Sequence, residues 1–300
     1  MTTDHVIEFE KMQSILKDLM IPPRPQVLTG VMEEKNKPDC NTSRIAEIIR
    51  EDVAISAGVL KTVNSPFFGL RQEILSISQA VVLLGLTNIM NIVSALSLRQ
   101  LIMKGNEAFM ENFWTMSTEN ALISAKLAKE LTQIPPDEAY MLGLLQNCGI
   151  PILGQKYPSY NEIYLEALQL QDEKSITEIE EDYYHINHCV VGYVIATRWQ
   201  FPNLISDCIL KHHSIDSSMW SIHQLDEDGK TLAPLLAILK LAEHLSQHYH
   251  GLPDFFEWQK NAQEILSYLN VTPKELGNLE KDASECLSNF YKQQSIKVTS

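Results

Sequence analysis

Apolar residues recur along most of this chain at intervals of three and four, the spacing that lines one face of an α-helix. No alternating run of the kind that marks a strand stands out. Ile45, Ile48 and Ile49 share a face just after Asn41-Thr42-Ser43, whose side chains can cap a helix start. Asp52 opens a second helix that runs towards Asn64. Pro66 ends it, because the proline ring cannot join an interior helix ladder. Ser76 and Gln79 have the spacing of a capping box ahead of the apolar residues 80–84, and Gly85 is a stop. Thr87 then begins a longer helix reaching towards Gly105.

The second half follows the same grammar. The pattern predicts a helix over about 110–131, with Trp114 in its first half, and another from Pro135-Pro136-Asp137 through Gln146. Ser175 and Glu178 make a second capping box. Asn187 caps a helix from His188 to about Trp199, and Phe201-Pro202-Asn203 turns the chain into one that ends at His212-His213. Residues 231–247 form a further amphipathic helix. Thr272-Pro273-Lys274-Glu275 combines a cap, a proline at the first helical position and a capping carboxylate. The expected fold class is all-α.

Composition narrows the function without choosing one. The chain has 300 residues, 45% of them hydrophobic, enough for one large or two ordinary domains. It carries 24 Lys+Arg against 38 Asp+Glu, and a net charge of −14 repels a phosphate backbone, so no nucleic-acid partner is expected. The opening MTTDHVIEFEKM lacks the continuous apolar core of a signal peptide, and no run approaches the roughly 18 apolar residues of a membrane span. Five scattered cysteines without a C-x-x-C pair read as reduced, mostly buried thiols. The expectation is a cytoplasmic protein with no membrane partner; the pattern does not define its oligomeric state.

Half of the acidic excess sits in residues 161–187, which hold eight carboxylates and one lysine. Such a block reads as a solvated helix–loop–helix and a candidate surface for a basic partner. Residues 214–231 are polar and mixed, the composition of a long surface loop.

Histidines are the one constellation with chemistry in it. His188, Val191, Gly192, Ile195 and Trp199 follow an inward stripe, as do Ile205, Cys208, Ile209 and His212 on the next helix. The short link makes the two helices antiparallel neighbours, which brings His188 to His212 and His213. Glu243 shares a stripe with Leu232, Leu236 and Leu239 and can approach the same interior. Three imidazoles and a carboxylate suit a divalent metal that activates water. They equally suit a hydrogen-bonded core without an ion.

Several segments resemble one family. Residues 45–52 (IAEIIRED), 60–69 (LKTVNSPFFG) and 77–86 (ISQAVVLLGL) are similar to the HDOD domain, an HD-related output module of bacterial signalling proteins. Gly143-Leu144-Leu145, His188-x-x-Val191-Gly192, Trp199-x-Phe201-Pro202 and residues 209–213 (ILKHH) continue the likeness in order, over roughly residues 10–250. The resemblance implies an N-terminal helical subdomain (1–106) packed on an HD-like helical bundle (107–250), followed by a C-terminal helical extension (251–300). Its signature loop is Asn64, Ser65, Pro66, Phe67, Phe68 and Gly69, whose aromatics either lock the helix junction or meet a partner.

The departures from catalytic HD phosphohydrolases bear on function. Where those enzymes place a first-helix His, an adjacent His-Asp pair and a later Asp, the matching positions here are Met116, Gln146-Asn147 and Glu243. Thioether and amide groups are poor ligands for a hard catalytic metal. The Gly-Tyr-Pro segment of the cyclic di-GMP-hydrolysing relatives is replaced by Ser214-Ile215-Asp216-Ser217-Ser218. The implied reading is a non-catalytic regulatory module with no cofactor and no metal, acting on a signalling protein such as a kinase or other regulator. In that reading Met116, Gln146, Asn147, His188, His212, His213 and Glu243 line a relict pocket. The alternatives are a divergent metal-dependent phosphohydrolase acting on a nucleotide such as cyclic di-GMP, and a sensor that holds a small ligand in the relict cavity.

Overall fold

The computed structural model describes residues 17–298 apart from 20, 66, 68–69, 71, 103–106, 170–173, 216, 221–231 and 255. Among the described residues every regular element is helical. The N-terminal half consists of α1 (Gln26–Lys35), α2 (Thr42–Glu51), α3 (Val53–Val63), α4 (Ile77–Leu84) and α5 (Leu86–Ile102). The expected caps start these helices. Asn41 Oδ1 accepts from the Ser43 and Arg44 amides, Asp52 from Ile55, and Ser76 Oγ from Gln79. Gln79 departs from the capping box: its Oε1 takes the amide of Leu75, not that of Ser76. Gly85 ends α4 with a φ of 85°, a backbone setting that side chains rarely tolerate. Ile45, Ile49, Val59, Ile77, Ile89 and Val93 fill the space between these helices. Each such burial is worth about 1.5–3 kcal/mol.

The second half begins with a hairpin of α6 (Glu107–Leu131) and α7 (Pro136–Leu145). Then come α8 (Gly149–Lys156), α9 (Tyr160–Gln169), α10 (Ile176–Tyr184), α11 (His188–Arg198) and α12 (Asn203–Lys211). A short 3-10 turn at Ser217–Trp220 precedes α13 (Ala233–His250), α14 (Phe256–Tyr268) and α15 (Pro273–Val298). Pro136 sits in the first turn of α7, Ser175 and Glu178 form a reciprocal capping box on α10, and Asn187 caps α11. Two of the helices that the pattern left unmarked, α1 and α8, start at Pro25 and Cys148 without a side-chain cap. The third is α14. Most of the expected 214–231 loop lies outside the described residues, as do the expected helix end near Gly105 and the first 16 residues.

Helix α13 is the axis of this half. It is packed by α6, α7, α14 and α15, and its buried residues include both Leu236–Leu239 and the polar Lys240, Glu243, His244, Ser246 and Gln247. A helix enclosed on all sides must find internal partners for such groups. Glu119 of α6 supplies one set. Fully buried, it accepts from Ser246 Oγ at 2.6 Å, from His250 Nε2 at 2.9 Å and from the Tyr291 hydroxyl of α15.

The two halves are joined by specific polar contacts. Asn91 Nδ2 donates to Asp137 Oδ2 at 2.7 Å, and the Thr62 and Tyr140 hydroxyls meet at 3.2 Å. In the signature loop, the Asn64 amide both donates to and accepts from the backbone of Ile74 at 2.7 Å. Phe67 is buried edge-on against Phe290 of α15. The described part of that loop therefore locks helices together. Pro66, Phe68 and Gly69 lie outside the described residues. No helix is long and apolar enough to cross a membrane.

Candidate functional site: a buried imidazole cluster

Three helix ends bring the histidines together. The Asn187 cap makes His188 the first residue of α11. α8 starts against that point: a Cβ on Gly149 would run into the carbonyl of His188, so only glycine lets the two backbones touch. α12 returns antiparallel to α11, close enough that a Cβ on Gly192 would lie 2.8 Å from Ile209 Cγ2. His212 and His213 thus arrive beside His188, with ring centroids 5.4 and 5.0 Å away. One nitrogen from each of the three rings lies within 4.8 Å of the others.

Each imidazole is anchored through Nδ1. His188 gives it to Glu180 Oε2 at 2.7 Å, His212 to the Ile209 carbonyl at 2.7 Å and His213 to Glu257 Oε1 at 2.7 Å. Glu180 is saturated: the same Oε2 accepts the His188 amide at 2.9 Å, and Oε1 accepts the Tyr160 hydroxyl. The Asn147 side-chain amide lies 2.9 Å from His212 Nε2. The atom placed there is Oδ1; because Nδ1–H of that ring is committed to Ile209, the neutral ring has only a lone pair at Nε2, and turning the amide over presents its NH2 to that lone pair. Cys189 Sγ lies 3.6 Å from His188 Nε2 and 3.7 Å from His212 Nδ1.

The far wall is charged. Lys240 Nζ stands 2.9 Å from Glu243 Oε2, one helical turn along α13, and both side chains are at most 3% exposed. The contact pairs the charges without meeting the angular requirements of a hydrogen bond. Burial alone would lower the Lys240 ammonium, but the Glu243 and Glu257 carboxylates raise it. For Glu257, burial is outweighed by His213 and Lys240, which hold its carboxyl well below the usual range. Burial, reinforced by His213 and Lys240, pushes His212 well below an ordinary histidine, and burial also lowers His213 despite Glu257. His188 goes the other way. Burial opposes its charge, but the Cys189 sulfur and the Glu180 carboxylate raise it well above the ordinary value. The result is a charged His188–Glu180 pair and a Lys240–Glu243 ion pair around a neutral His212.

The structure therefore brings His188, His212, His213, Asn147 and Glu243 into one polar island. Gln146 is fully buried, with neither end of its amide hydrogen-bonded among the described residues. Met116 is half-buried on α6 and offers only a thioether. Sequence reasoning missed Glu180, Tyr160, Cys189, Lys240 and Glu257. Lys240 was legible, since it lies three residues before Glu243 on the same helix. Glu180 corrects the reading of residues 161–187 as a solvated block: it is turned into the protein, whereas Lys174 and Asp182 pair on the surface and Asp172 and Glu173 lie outside the described residues. Nothing in composition distinguishes it from its neighbours. Glu257 comes from the C-terminal extension, beyond the stretch that suggested the pocket.

Comparison with known proteins agrees with this architecture. The chain matches the HDOD domain model over residues 21–215. It is 27% identical over 278 residues to an uncharacterised protein of Treponema pallidum (strain Nichols), covering 92% of this chain and 50% of that one. The chain thus spans about half the length of that relative. A Geobacter sulfurreducens HDOD domain protein of unknown function superposes with a TM-score of 0.65 at 20% identity, covering 95% of this chain and 96% of that one. A Shewanella amazonensis SB2B structure named "Putative phosphohydrolase" superposes with a TM-score of 0.66 at 22% identity, covering 92% and 93%. At these identities the likeness is one of fold. With the family model spanning well over half of its length, the chain belongs to the HDOD domain family.

Proposed function

We propose that this protein is a non-catalytic cytoplasmic signalling module that acts through contacts with another protein, such as a kinase or other regulator, and needs no cofactor to do so. The observation that carries this reading is that Glu243 and His212, two of the groups a metal would need, already face other protein groups. Glu243 is ion-paired with Lys240, and His212 Nε2 lies 2.9 Å from the side-chain amide of Asn147. His188 and His212 are 0% exposed, so a phosphoester has no direct approach to those two imidazoles. Leu75, Val82 and Leu83, exposed on and beside α4, give the molecule an apolar surface suited to protein contact.

The test uses the full chain, supplied with iron, manganese or zinc, and follows hydrolysis of cyclic di-GMP and of a generic phosphodiester. No turnover above background is expected. Metal-dependent turnover that disappears in H188Q or H212Q, with the helical circular dichroism unchanged, would overturn the reading.

A second reading, the divergent metal-dependent phosphohydrolase acting on a nucleotide such as cyclic di-GMP, is favoured by one feature. All three imidazoles give Nδ1 to an oxygen, the arrangement that orients histidines towards a metal. Stoichiometric metal in protein purified without chelator, lost in H188Q, distinguishes it.

A further inference from the structure

A cavity separate from the imidazole cluster opens where the two halves and the C-terminal helix meet. It has a volume of about 130 Å³, room for a few waters or one tetrahedral oxyanion. Its walls come from α3, α5, α6, α7 and α15, and no Asp or Glu lines it among the described residues. Two cations do, Arg99 and Lys61.

Arg99 is the decisive residue. Its guanidinium is largely desolvated, and burial pulls its pKa down. Among the described residues its partners are the Thr118 hydroxyl at 3.0 Å and the face of Trp114 at 5.6 Å, with no carboxylate pairing. A guanidinium is a fork of donors built for planar or tetrahedral oxyanions, and only one of its N–H groups is used here. A cation held in a protein wall without a counter-ion is unfavourable, so the cavity is electrostatically incomplete as it stands. Ser65 adds an independent sign. It is 5% exposed, lines the same cavity, and its hydroxyl has no hydrogen-bond partner among the described residues. Thr115 brings a further hydroxyl to the walls, while the hydroxyls of Tyr140 and Tyr291 are engaged with Thr62 and Glu119.

We propose that this junction cavity binds a phosphate-class oxyanion, either free phosphate or the phosphoryl group of a small ligand, held by Arg99, Lys61 and the Ser65 hydroxyl. The cavity is too small for a whole nucleotide. Because its walls belong to both halves and to α15, the bound anion braces their packing, which gives a signalling module an input distinct from its partner surface. This goes beyond the non-catalytic reading and does not depend on it.

Inorganic phosphate and glycerol phosphate are titrated separately into the full chain by calorimetry and by thermal denaturation, with chloride at matched ionic strength as control. One site per chain is expected, with a Tm that climbs with phosphate concentration and not with chloride. Tighter binding of inorganic phosphate marks the free ion as ligand, and tighter binding of glycerol phosphate marks a phosphorylated small molecule. R99Q should weaken binding about 10- to 100-fold and S65A about 3- to 10-fold, as expected for hydrogen bonds to a charged group. S65A also keeps the test open if R99Q does not fold. Equal responses to phosphate and chloride in the native chain, or phosphate affinity unchanged in S65A and in folded R99Q, would overturn the proposal.

Discussion

Replacing Glu180 by glutamine asks whether a buried carboxylate organises the imidazole cluster. In the native protein that carboxylate takes the His188 amide at 2.9 Å, the His188 ring at 2.7 Å and the Tyr160 hydroxyl. Glutamine keeps the outline and one accepting oxygen but loses the charge, and its NH2 end must face a group that formerly donated. A hydrogen bond to a charged group contributes about 1.5–3 kcal/mol, and breaking a buried ion pair costs about 3–5 kcal/mol. Since part of the bonding survives, a destabilisation of about 2–4 kcal/mol is expected for E180Q. That is a large share of the ~5–15 kcal/mol typical of a folded domain, yet it leaves a measurable native state. Urea titration followed by tryptophan fluorescence reads it, because Trp114 and Trp199 are both buried.

The pH dependence has a defined sign. Burial alone would raise the Glu180 carboxyl, but His188 and Tyr160 hold it below its ordinary value of 4.5. Its contribution is therefore present above about pH 4.5 and is lost as pH falls through the depressed value. The His188 imidazole is raised above 6.5, so its contribution is complete below about pH 6.5 and is lost as pH rises through the raised value. Native stability should decline on both sides of that window, and E180Q should flatten both limbs. A loss below about 1 kcal/mol with both limbs unchanged would refute the charged pair.

Three further outcomes follow from the same geometry. K240M leaves Glu243 buried without its counter-charge and should cost about 3–5 kcal/mol, while K240M/E243L should recover most of the loss; chemical denaturation of both variants checks it. G149A drives a methyl group into the His188 carbonyl and should cost about 1–3 kcal/mol or more, with faster amide exchange at the start of α11. Burial pushes the Cys148 thiol up to about 12, so it should resist a thiol reagent at pH 8 in the native protein and react only after denaturation.

The helical architecture was legible because its signals are local. Asn41, Asp52, Ser175, Asn187 and Thr272 each sit within three residues of the amides they cap, and those starts agree with the pattern. Helices α1 and α8, which have no side-chain cap, were silent, whereas the equally uncapped α7, α12 and α13 were legible from their prolines or apolar stripes. The convergence of His188 on His212 and His213 was also legible, since a short link between two inward stripes leaves little choice of packing.

What the sequence by itself determined, then, is the all-α class, most helix boundaries, the family and the placing of three histidines together. Tertiary structure alone decided which charges those histidines meet. Glu180 and Glu257 reach the cluster from α10 and α14, 8 and 44 residues away in the chain, and no local pattern separates them from carboxylates that stay in water. The same holds for Arg99 and Ser65, 34 residues apart in the chain, which line one cavity at the junction of the halves. Caps and stripes depend on neighbours in the chain. The protonation of a buried group depends on which distant charge is packed against it.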